Sequence, residues 1–349
     1  MKNTMSFISL CLCAAALIAC NKSTVEAPSE TKAVSYFDNT GRDDIQSGGV
    51  KTITVKTDKG DFKVWTKRVG NNPSIKVLLL HGGPGMTHEY FEIFDSYFPG
   101  AGIEYYYYDQ LGSFNSHAIT DPNLIDLPRY VEEVEQVRQA LKLDQSNFYL
   151  LGHSWGGLLA MEYALKYQKN LKGLVISNMV DSIPAYNEYA QKVLMPAMDQ
   201  AALKEAQALE KAGKYEDPRY MEILVPHHYE KHVLRMPQSQ WPDPVQRSMK
   251  HVNPEVYVSM QGPSELGASG KLVNWDRSKD LHQISVPTLT IGGQHDTMDP
   301  AYMAAMAQKV KHGRALTCTN ASHMAMYDDS ACYFPGLIQF LKDVDARRF

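Results

Sequence analysis

The stretch Phe148-Tyr149-Leu150-Leu151-Gly152-His153-Ser154-Trp155-Gly156-Gly157 decides the fold of this 349-residue chain. It passes from an apolar run into the pattern Gly-x-Ser-x-Gly, and residues 158–165, which follow, have the apolar spacing of a helix. A strand, a sharp turn and a helix in that order are the context in which this pattern exposes a serine at the tip of the turn. Gly152 and Gly156 are needed because a side chain would crowd backbone that passes close by. The sequence therefore predicts Ser154 as a nucleophile at the N-terminus of a helix.

The rest of the chain alternates between strand and helix patterns. Predicted strands cover residues 51–56, 62–69, 75–80, 104–108, 171–177, 287–292 and 314–319, and predicted helices cover residues 128–143, 300–311 and 332–344. The first two strands alternate in polarity, as in an antiparallel pair, whereas the next two are largely apolar, as in strands buried on both faces. Strands that alternate with helices predict an α/β fold, with a mostly parallel central sheet and helices on both of its faces.

The alternation of strand and helix patterns is interrupted between residues 181 and 275, which have helical patterns and are rich in Met, Tyr, His and Pro. A chain of this length is long for one compact core but short for two independent enzymes. We interpret the break as an insertion between two strands that forms a cap over their carboxyl ends. The prediction is a core made of residues 45–180 and 276–349, with a helical cap formed by residues 181–275.

The first residues have the pattern of a targeting signal. A short basic start precedes an apolar core, residues 7–19, that is too short to span a bilayer comfortably. Leu17-Ile18-Ala19-Cys20 resembles the lipobox of bacterial lipoprotein signal peptides, in which cleavage leaves the cysteine as the lipidated first residue. A plain secretory signal with an incidental cysteine is the alternative. We expect residues 1–19 to be removed, Cys20 to carry lipid, and the polar residues 20–44 to form a flexible tether.

Lipidation of Cys20 would place the protein in the cell envelope, as a periplasmic or outer-membrane lipoprotein held to the membrane only by its lipid. Outside the cytoplasm, cysteines can pair. Because Cys11 and Cys13 leave with the signal, Cys318 and Cys332 remain. They form either a disulfide or two buried thiols, and the sequence does not choose between these states.

Composition argues against several classes of partner. The net charge of −4 gives no basic face for nucleic acid. No cluster of His, Cys and carboxylate residues has the spacing of metal ligands, so we expect neither a metal nor a cofactor. After residue 20, no window holds the roughly 18 uninterrupted apolar residues that a membrane helix needs.

A serine hydroxyl is a poor nucleophile at neutral pH, so it needs a base and a carboxylate that orients the base. When the serine follows one strand of such a sheet, its partners follow later strands, first the acid and then the histidine. Asp296 follows one late strand and His323 follows the last, so we predict them as acid and base. The competing choices are Asp299 for the acid, which reads equally well as a helix N-cap, and His295 or His312 for the base.

Acyl transfer also needs two backbone N–H groups that stabilise the developing oxyanion. One comes from Trp155, the residue after the nucleophile. The other comes from the loop after the third strand, His81-Gly82-Gly83-Pro84-Gly85, where glycines let the backbone approach a substrate. Within this loop Gly83 is the predicted donor.

Five motifs together resemble the proline iminopeptidase family of α/β-hydrolases. They are His81-Gly82-Gly83-Pro84-Gly85, Tyr108-Asp109-Gln110-Leu111-Gly112, the Gly-His-Ser-Trp-Gly-Gly turn at 152–157, Met260-Gln261-Gly262-Pro263-Ser264-Glu265 and Asn274-Trp275-Asp276. The last two are similar to the branch that contains the tricorn-interacting aminopeptidase. The resemblance implies an α/β-hydrolase fold with a helical cap. It also implies release of an N-terminal residue, often proline, from short peptides or other small amino-acid derivatives.

In that family, carboxylates hold the free ammonium group of the substrate. The resemblance places one of them at Glu265, for which a solvated surface carboxylate is the alternative interpretation. A second follows the catalytic aspartate directly, but the matching position here is Thr297. Either Asp299, two residues further on, replaces it, or amine recognition differs in this chain.

Three functions are therefore open. The first is a serine aminopeptidase or amidase for small substrates with a free amine. The second is an esterase or lactonase for neutral acyl substrates, which Thr297 favours. The third is a lipoprotein that only binds peptides, against which the intact order of serine, acid and histidine argues, because a binding module needs no oriented nucleophile.

Overall fold

An eight-stranded sheet lies at the centre of residues 35–349, the part of the chain that the computed structural model describes. The predicted signal, Cys20 and the start of the predicted tether lie outside the described residues. The strands are β1 Val50–Thr57, β2 Gly60–Val69, β3 Lys76–Leu80, β4 Glu104–Asp109, β5 Phe148–His153, β6 Gly173–Ser177, β7 Thr288–Gly293 and β8 Gly313–Cys318. Their spatial order is β1-β2-β4-β3-β5-β6-β7-β8.

Helices form most of the connections. The α-helices are α1 Phe98–Ala101, α2 Leu127–Ala140, α3 Trp155–Tyr167, α4 Ile183–Tyr189, α5 Met195–Ala197, α6 Gln200–Lys211, α7 Pro218–Leu224, α8 Glu230–His232, α9 Asp243–Lys250, α10 Pro254–Met260, α11 Pro300–Met306, α12 Ala325–Asp328 and α13 Ser330–Asp345. Short 3-10 helices span His88–Ser96, Pro122–Leu124, Gln168–Asn170, Gln238–Gln240 and Leu281–Gln283, and π-helical turns span Ala190–Leu194 and Val225–Tyr229. Within residues 35–349, no helix combines the length and the hydropathy that a transmembrane segment requires.

Parallel pairing dominates the sheet. β2 is antiparallel to both β1 and β4, whereas every other neighbouring pair is parallel. In β3, Leu78 and Leu80 belong to the same apolar cluster as α2 and α3, while Val77 and Leu79 belong to the cluster that contains α13. Successive side chains of a strand point to opposite faces, so helices on both faces require an apolar run. The predicted α/β class, with a mostly parallel sheet covered on both faces, is confirmed.

The segment between β6 and β7 contains the helices α4 to α10. It is bound to loops at the carboxyl ends of the core strands. The N–H of Asn253 donates to the carbonyl of Gly85, after β3, over 2.8 Å, and the N–H of His323, after β8, donates to the carbonyl of His232 over 3.0 Å. The inserted segment therefore lies over the edge of the sheet at which β3 and β8 end.

The predicted tether ends earlier than residue 44, so this prediction is wrong for residues 35–44. Asp44 forms a 2.6 Å ion pair with Arg68, and both side chains are buried. Arg42 lies 3.0 Å from the buried carboxylate of Glu104. A buried charge is costly without a partner. The polar residues that look like linker in the sequence are therefore the counter-charges of the outer strands.

Cys318, at the end of β8, and Cys332, in the first turn of α13, form a disulfide with an S–S distance of 2.08 Å. The structure thus decides between the two states that the sequence left open. The bond links the last strand to the last helix of the core.

Candidate active site

The turn between β5 and α3 places Ser154 in a backbone conformation that few non-glycine residues adopt, with φ of 56° and ψ of −126°. The flanking glycines make this turn possible. A Cβ at Gly152 would lie 1.9 Å from the carbonyl oxygen of Gly156, and a Cβ at Gly156 would lie 2.0 Å from that of Leu80. Both distances are far below van der Waals contact, so only glycine fits. The strained serine is held at the point where β5 ends and α3 begins.

The structure brings Asp296 and His323 together. Nδ1 of His323 donates a hydrogen bond to Oδ1 of Asp296 over 2.8 Å, and both side chains are buried. This leaves Nε2 of His323 for the serine, and His323 lines the same cavity as Ser154, whereas Asp296 does not line it. The competing histidines, His295 and His312, do not line that cavity.

Asp296 is held by more groups than the histidine alone. Its Oδ2 accepts a hydrogen bond from the side-chain amide of Asn178 at 2.7 Å, and its Oδ1 accepts from the N–H of Met298 and the hydroxyl of Thr297, each at 3.2 Å. Thr297 is fully buried against the carboxylate and does not line the cavity. The residue that departs from the family pattern therefore supports the acid instead of facing a substrate.

Burial and charge act in opposite directions on this pair. Burial raises the pKa of Asp296, but the His323 imidazole and the hydrogen bonds lower it by a larger amount. The net pKa therefore lies below its ordinary value. Burial lowers the pKa of His323, but the Asp296 carboxylate and, to a smaller extent, the charge of Glu265 raise it, so that the net pKa lies above its ordinary value. The ion pair is the form that this arrangement favours.

Two backbone N–H groups are free beside Ser154. A Cβ at Gly82 would lie 3.0 Å from Cβ of Ser154, so the glycine loop packs directly against the nucleophile. Gly83 has a φ of +112°, and Trp155 is the first residue of α3. Neither the N–H of Gly83 nor that of Trp155 donates to an acceptor within residues 35–349. The N–H of Gly82, in contrast, donates to the hydroxyl of Tyr90 over 2.7 Å.

Gln110 links the glycine loop after β3 to Trp155 at the start of α3. It is not among the site residues predicted from the sequence. Its Oε1 accepts from Nε1 of Trp155 at 2.8 Å, its Nε2 donates to the carbonyl of His81 at 3.1 Å, and its N–H donates to Nε2 of His81 at 3.1 Å. Nδ1 of His81 then donates to the carbonyl of Gly82 at 2.9 Å. Burial lowers the pKa of His81 to about 4, so its imidazole is neutral and can make both bonds.

One signal could have found both unassigned polar residues. Gln110 is the first residue after β4, and Asn178 is the first residue after β6. The carboxyl ends of parallel strands meet at the edge where ligands bind, so a polar residue directly after an apolar strand is a candidate for a site. The resemblance had drawn attention to the motif that contains Gln110 but not to the residue itself.

A cavity of about 820 Å³ opens above Ser154, between the core loops and the cap. Most of its wall is apolar. The charged side chains on the wall are the carboxylates of Glu216, Glu255 and Glu265, and no lysine or arginine of the described chain lines it. Glu216 and Glu255 are exposed, whereas Glu265 is partly buried. The cavity therefore suits a substrate with an apolar body and a positive charge.

Two tyrosines of the cap hold Glu265. The hydroxyl of Tyr257 donates to its Oε1 over 2.6 Å, and the hydroxyl of Tyr186 donates to its backbone carbonyl over 2.9 Å and lies 3.4 Å from its Oε2. No lysine, arginine or histidine among residues 35–349 forms an ion pair with it. A partly buried carboxylate without a cation is costly, unless a ligand supplies the cation.

Asp299 is not part of this cavity. Its carboxylate accepts a hydrogen bond from the N–H of Ala301 over 2.9 Å and so caps the N-terminus of α11. The proposal that Asp299 replaces the missing second carboxylate of the family is therefore wrong. The alternative interpretation of Asp299, a helix N-cap, is the one that the structure shows.

One cluster of possible metal ligands occurs among the described residues, and it lies away from Ser154. It consists of Cys318, Asp329 and Cys332. Because both thiols are used in the disulfide, the cluster has no thiolate to offer a metal.

Comparison with known proteins identifies relatives along most of the chain. Residues 76–330 match the family described as alpha/beta hydrolase fold. A proline iminopeptidase of Flavobacterium johnsoniae is 54% identical over 293 residues, which are 84% of this chain and 98% of that protein. A proline iminopeptidase of Elizabethkingia meningoseptica is 53% identical over 299 residues, which are 85% of this chain and 99% of that protein.

Solved structures with a similar fold include a proline iminopeptidase. The crystal structure of proline iminopeptidase from Mycobacterium smegmatis has a TM-score of 0.75 and 25% identity, and the match covers 86% of this chain and 100% of that one. The crystal structure of VinJ has a TM-score of 0.77 and 25% identity, and the match covers 84% of this chain and 99% of that one.

The pKa of His323 leads to a testable pH dependence. Only a neutral imidazole can accept the proton of Ser154, so kcat/KM should fall as the pH drops through the pKa of His323. Because the net effect of the fold raises this pKa above 6.5, the midpoint of the acidic limb should also lie above 6.5. Rates with a neutral p-nitrophenyl ester between about pH 5 and pH 9 measure it. In Asp296→Asn the residual activity should show a lower midpoint, and an unchanged midpoint would contradict the role of the ion pair.

Proposed function

The chain belongs to the proline iminopeptidases of the α/β-hydrolase family, and we propose that it releases N-terminal proline, or another small N-terminal residue, from short peptides. As a member of that family it is a serine hydrolase. The observation that carries the proposal is the carboxylate of Glu265, which lines the cavity together with Ser154 and His323 and has no cationic partner among residues 35–349. An N-terminal ammonium group supplies that cation.

In the first half of the reaction, Ser154 attacks the carbonyl carbon of the N-terminal residue. His323 accepts the serine proton at Nε2, and Asp296 stabilises the imidazolium through Nδ1. The carbonyl oxygen becomes an oxyanion, which the free N–H groups of Gly83 and Trp155 bind. His323 then donates the proton to the leaving amine, the peptide bond breaks, and an acyl-enzyme remains on Ser154.

In the second half, a water molecule replaces the departed amine. His323 accepts a proton from the water while its oxygen attacks the acyl carbon, and the same two N–H groups bind the second oxyanion. The ester bond to Ser154 breaks, the serine regains its proton from His323, and the free amino acid leaves.

Recognition of the amine rests on one carboxylate in this chain. The family pattern supplies two, but Thr297 is buried behind Asp296 and Asp299 caps a helix. Glu265 therefore carries the interaction by itself within the cavity, and the exposed Glu216 and Glu255 add only screened attraction. An amine bound by a single carboxylate fits both secondary and primary amines, which agrees with small residues other than proline as substrates.

The second candidate is hydrolysis of neutral esters, lactones or amides. It is favoured by the apolar wall of the cavity and by the threonine at position 297. The two functions differ in whether the substrate needs a positive charge. Rates with prolyl and alanyl arylamides, compared with an N-acetylated prolyl arylamide and a neutral p-nitrophenyl ester, separate them.

Substitution of the triad tests the catalytic assignment. Ser154→Ala, His323→Ala and Asp296→Asn should each lower kcat for a prolyl arylamide by roughly 10⁴-fold or more, because the three residues act as one unit. The double variant of Ser154→Ala and His323→Ala should be little worse than either single one. Circular dichroism checks the fold, and labelling by a fluorophosphonate should disappear in Ser154→Ala. Near-normal turnover in that variant would refute the assignment of Ser154 as the nucleophile, whereas a wild-type protein with neither turnover nor fluorophosphonate labelling would indicate a binding function.

Substitution of Glu265 tests amine recognition. Glu265→Gln should lower kcat/KM for a prolyl arylamide roughly ten- to a hundred-fold, since a charge-assisted hydrogen bond contributes about 1.5–3 kcal/mol. The neutral ester should hardly respond. Glu255→Gln is the matched control, because it removes an exposed carboxylate from the same wall. Equal losses on both substrates would show that Glu265 is structural.

We also propose that the enzyme acts in the cell envelope, anchored through lipid on Cys20. The lipobox-like sequence before Cys20 supports this, and residues 21–34 separate it from the part of the chain that packs onto the sheet. Mass spectrometry of membrane-extracted protein should find an acylated N-terminus at Cys20. Cys20→Ser should release an enzyme with unchanged kcat/KM. An unmodified N-terminus cut at another residue would contradict the lipoprotein assignment.

A further inference from the structure

Tyr90 and His153 form a buried chain of hydrogen bonds that connects the two sides of the active site. The N–H of Gly82 donates to the Tyr90 hydroxyl over 2.7 Å, and that hydroxyl lies 3.0 Å from Nδ1 of His153. Nε2 of His153 lies 2.8 Å from the carbonyl oxygen of His323. Tyr90 and His153 are almost completely buried. The chain begins in the glycine loop and ends in the loop that presents the base.

The chemistry of the groups allows only one direction of donation along this chain. A carbonyl oxygen can only accept, so Nε2 of His153 carries the proton. In a neutral imidazole Nδ1 is then an acceptor, and the hydroxyl of Tyr90 must donate to it. The same hydroxyl accepts from Gly82 with a lone pair. Each donor in this chain of hydrogen bonds therefore meets an acceptor, and the arrangement of protons is the only one possible.

His153 is not a second base, although its ring centroid lies 5.0 Å from that of His323. Burial, followed by the nearby His323, lowers the pKa of His153 to about 3. Its imidazole is therefore neutral at any pH at which the enzyme works, and it keeps the tautomer that the chain requires. Burial also raises the pKa of Tyr90 well above its ordinary value, so the hydroxyl keeps its proton.

The first end of the chain fixes the direction of the oxyanion donor. The N–H of Gly82 is held by Tyr90, and the carbonyl of Gly82 is held by Nδ1 of His81 at 2.9 Å. The carbonyl of Gly82 and the N–H of Gly83 belong to one peptide unit, which is planar, so they point in opposite directions. Two bonds on Gly82 therefore set where the N–H of Gly83 points.

The second end of the chain acts on the base. The carbonyl of His323 accepts from His153, while the N–H of His323 donates to the carbonyl of His232 over 3.0 Å. Both backbone groups of His323 are thus held: the carbonyl by His153 at the end of β5, and the N–H by His232 of the cap.

We propose that Tyr90 and His153 are positioning residues that lock the oxyanion donor Gly83 and the base His323 into one geometry. This inference rests on the proposed roles of Gly83 and His323 in hydrolysis. Buried polar groups are paired in any fold, so pairing alone would be unremarkable as evidence. Here the paired groups belong to the loops of Gly83 and His323, which must keep their positions relative to one oxyanion, and small displacements there are costly to the rate.

The variant Tyr90→Phe tests the proposal, because it keeps the buried ring and removes the hydroxyl. We expect kcat for a prolyl arylamide to fall about ten- to a hundred-fold with KM changed less than about threefold, since the loss concerns an interaction made in the transition state. Tyr107→Phe is the matched control: its ring is also buried, but its hydroxyl binds Asp95, away from the catalytic loops.

Two inhibitors separate a positioning role from a general loss of structure. Pyrrolidine-2-boronic acid forms a bond from boron to Oγ of Ser154, transfers the serine proton to His323, and places a boronate oxygen in the oxyanion site. Pyrrolidine carries only the amine. Tyr90→Phe should weaken inhibition by the boronic acid by about the same factor as kcat and leave inhibition by pyrrolidine unchanged. Equal weakening of both inhibitors, or of neither, would overturn the proposal.

The second variant, His153→Gln, replaces the imidazole by a side-chain amide, which can still donate a hydrogen bond but does not present a donor and an acceptor on opposite sides of a ring. If the two residues act in series, the double variant Tyr90→Phe/His153→Gln should be no worse than the poorer single variant. Losses in kcat that multiply would show two independent effects and refute the chain. An inactive wild-type enzyme on prolyl substrates, by contrast, would refute the proposed function, and the same variants would then be compared on the neutral ester.

Discussion

The contact between Gly156 and the carbonyl oxygen of Leu80 is the constraint on which the rest of the site depends. A Cβ at position 156 would lie 2.0 Å from that oxygen, so the start of α3 rests directly on the end of β3. β3 and β5 are parallel neighbours, and their ends are therefore side by side. The loop that leaves β3 has to pass Ser154, which is why the amide of Gly83 is available to an oxyanion at that serine. This contact therefore goes together with both the strained turn at Ser154 and the position of the glycine loop beside it.

Around this turn lie three neighbouring buried histidines, and only the predicted base, His323, has a pKa above its ordinary value. Burial lowers the pKa of His81 to about 4, and burial together with His323 lowers that of His153 to about 3. Both serve as fixed donors and acceptors. His323 differs because it faces Asp296, whose charge outweighs the effect of burial on its pKa. The carboxylate of Asp296 is in turn kept ionised by hydrogen bonds that replace water. Of these three imidazoles, only that of His323 is hydrogen-bonded to a carboxylate.

The cap carries Glu265, the carboxylate that we propose to bind the substrate amine, and it is hydrogen-bonded to the loop of His323. The backbone of His323 is bonded to that of His232 in the cap, and Glu265 in the cap is close enough to influence the pKa of His323. Under the proposed function, an ammonium group bound at Glu265 would therefore neutralise a charge that acts on His323. The departure at Thr297 fits the same picture: a second carboxylate there would lie against Asp296, whereas the threonine hydroxyl donates a hydrogen bond to it.

The sequence by itself determined the order of strands and helices, the turn at Ser154 and its later partners Asp296 and His323. Apolar periodicity and short-range steric effects determine these features, and both depend on residues that are close together in the sequence. Only the tertiary structure decided the rest. It showed that Arg42 and Asp44 pair with buried charges, that Asp299 caps a helix, that two cysteines pair, and that Gln110 and Asn178 hydrogen-bond within the site. Each of these depends on which distant group meets a side chain at the edge of the sheet, and local sequence does not encode that partner.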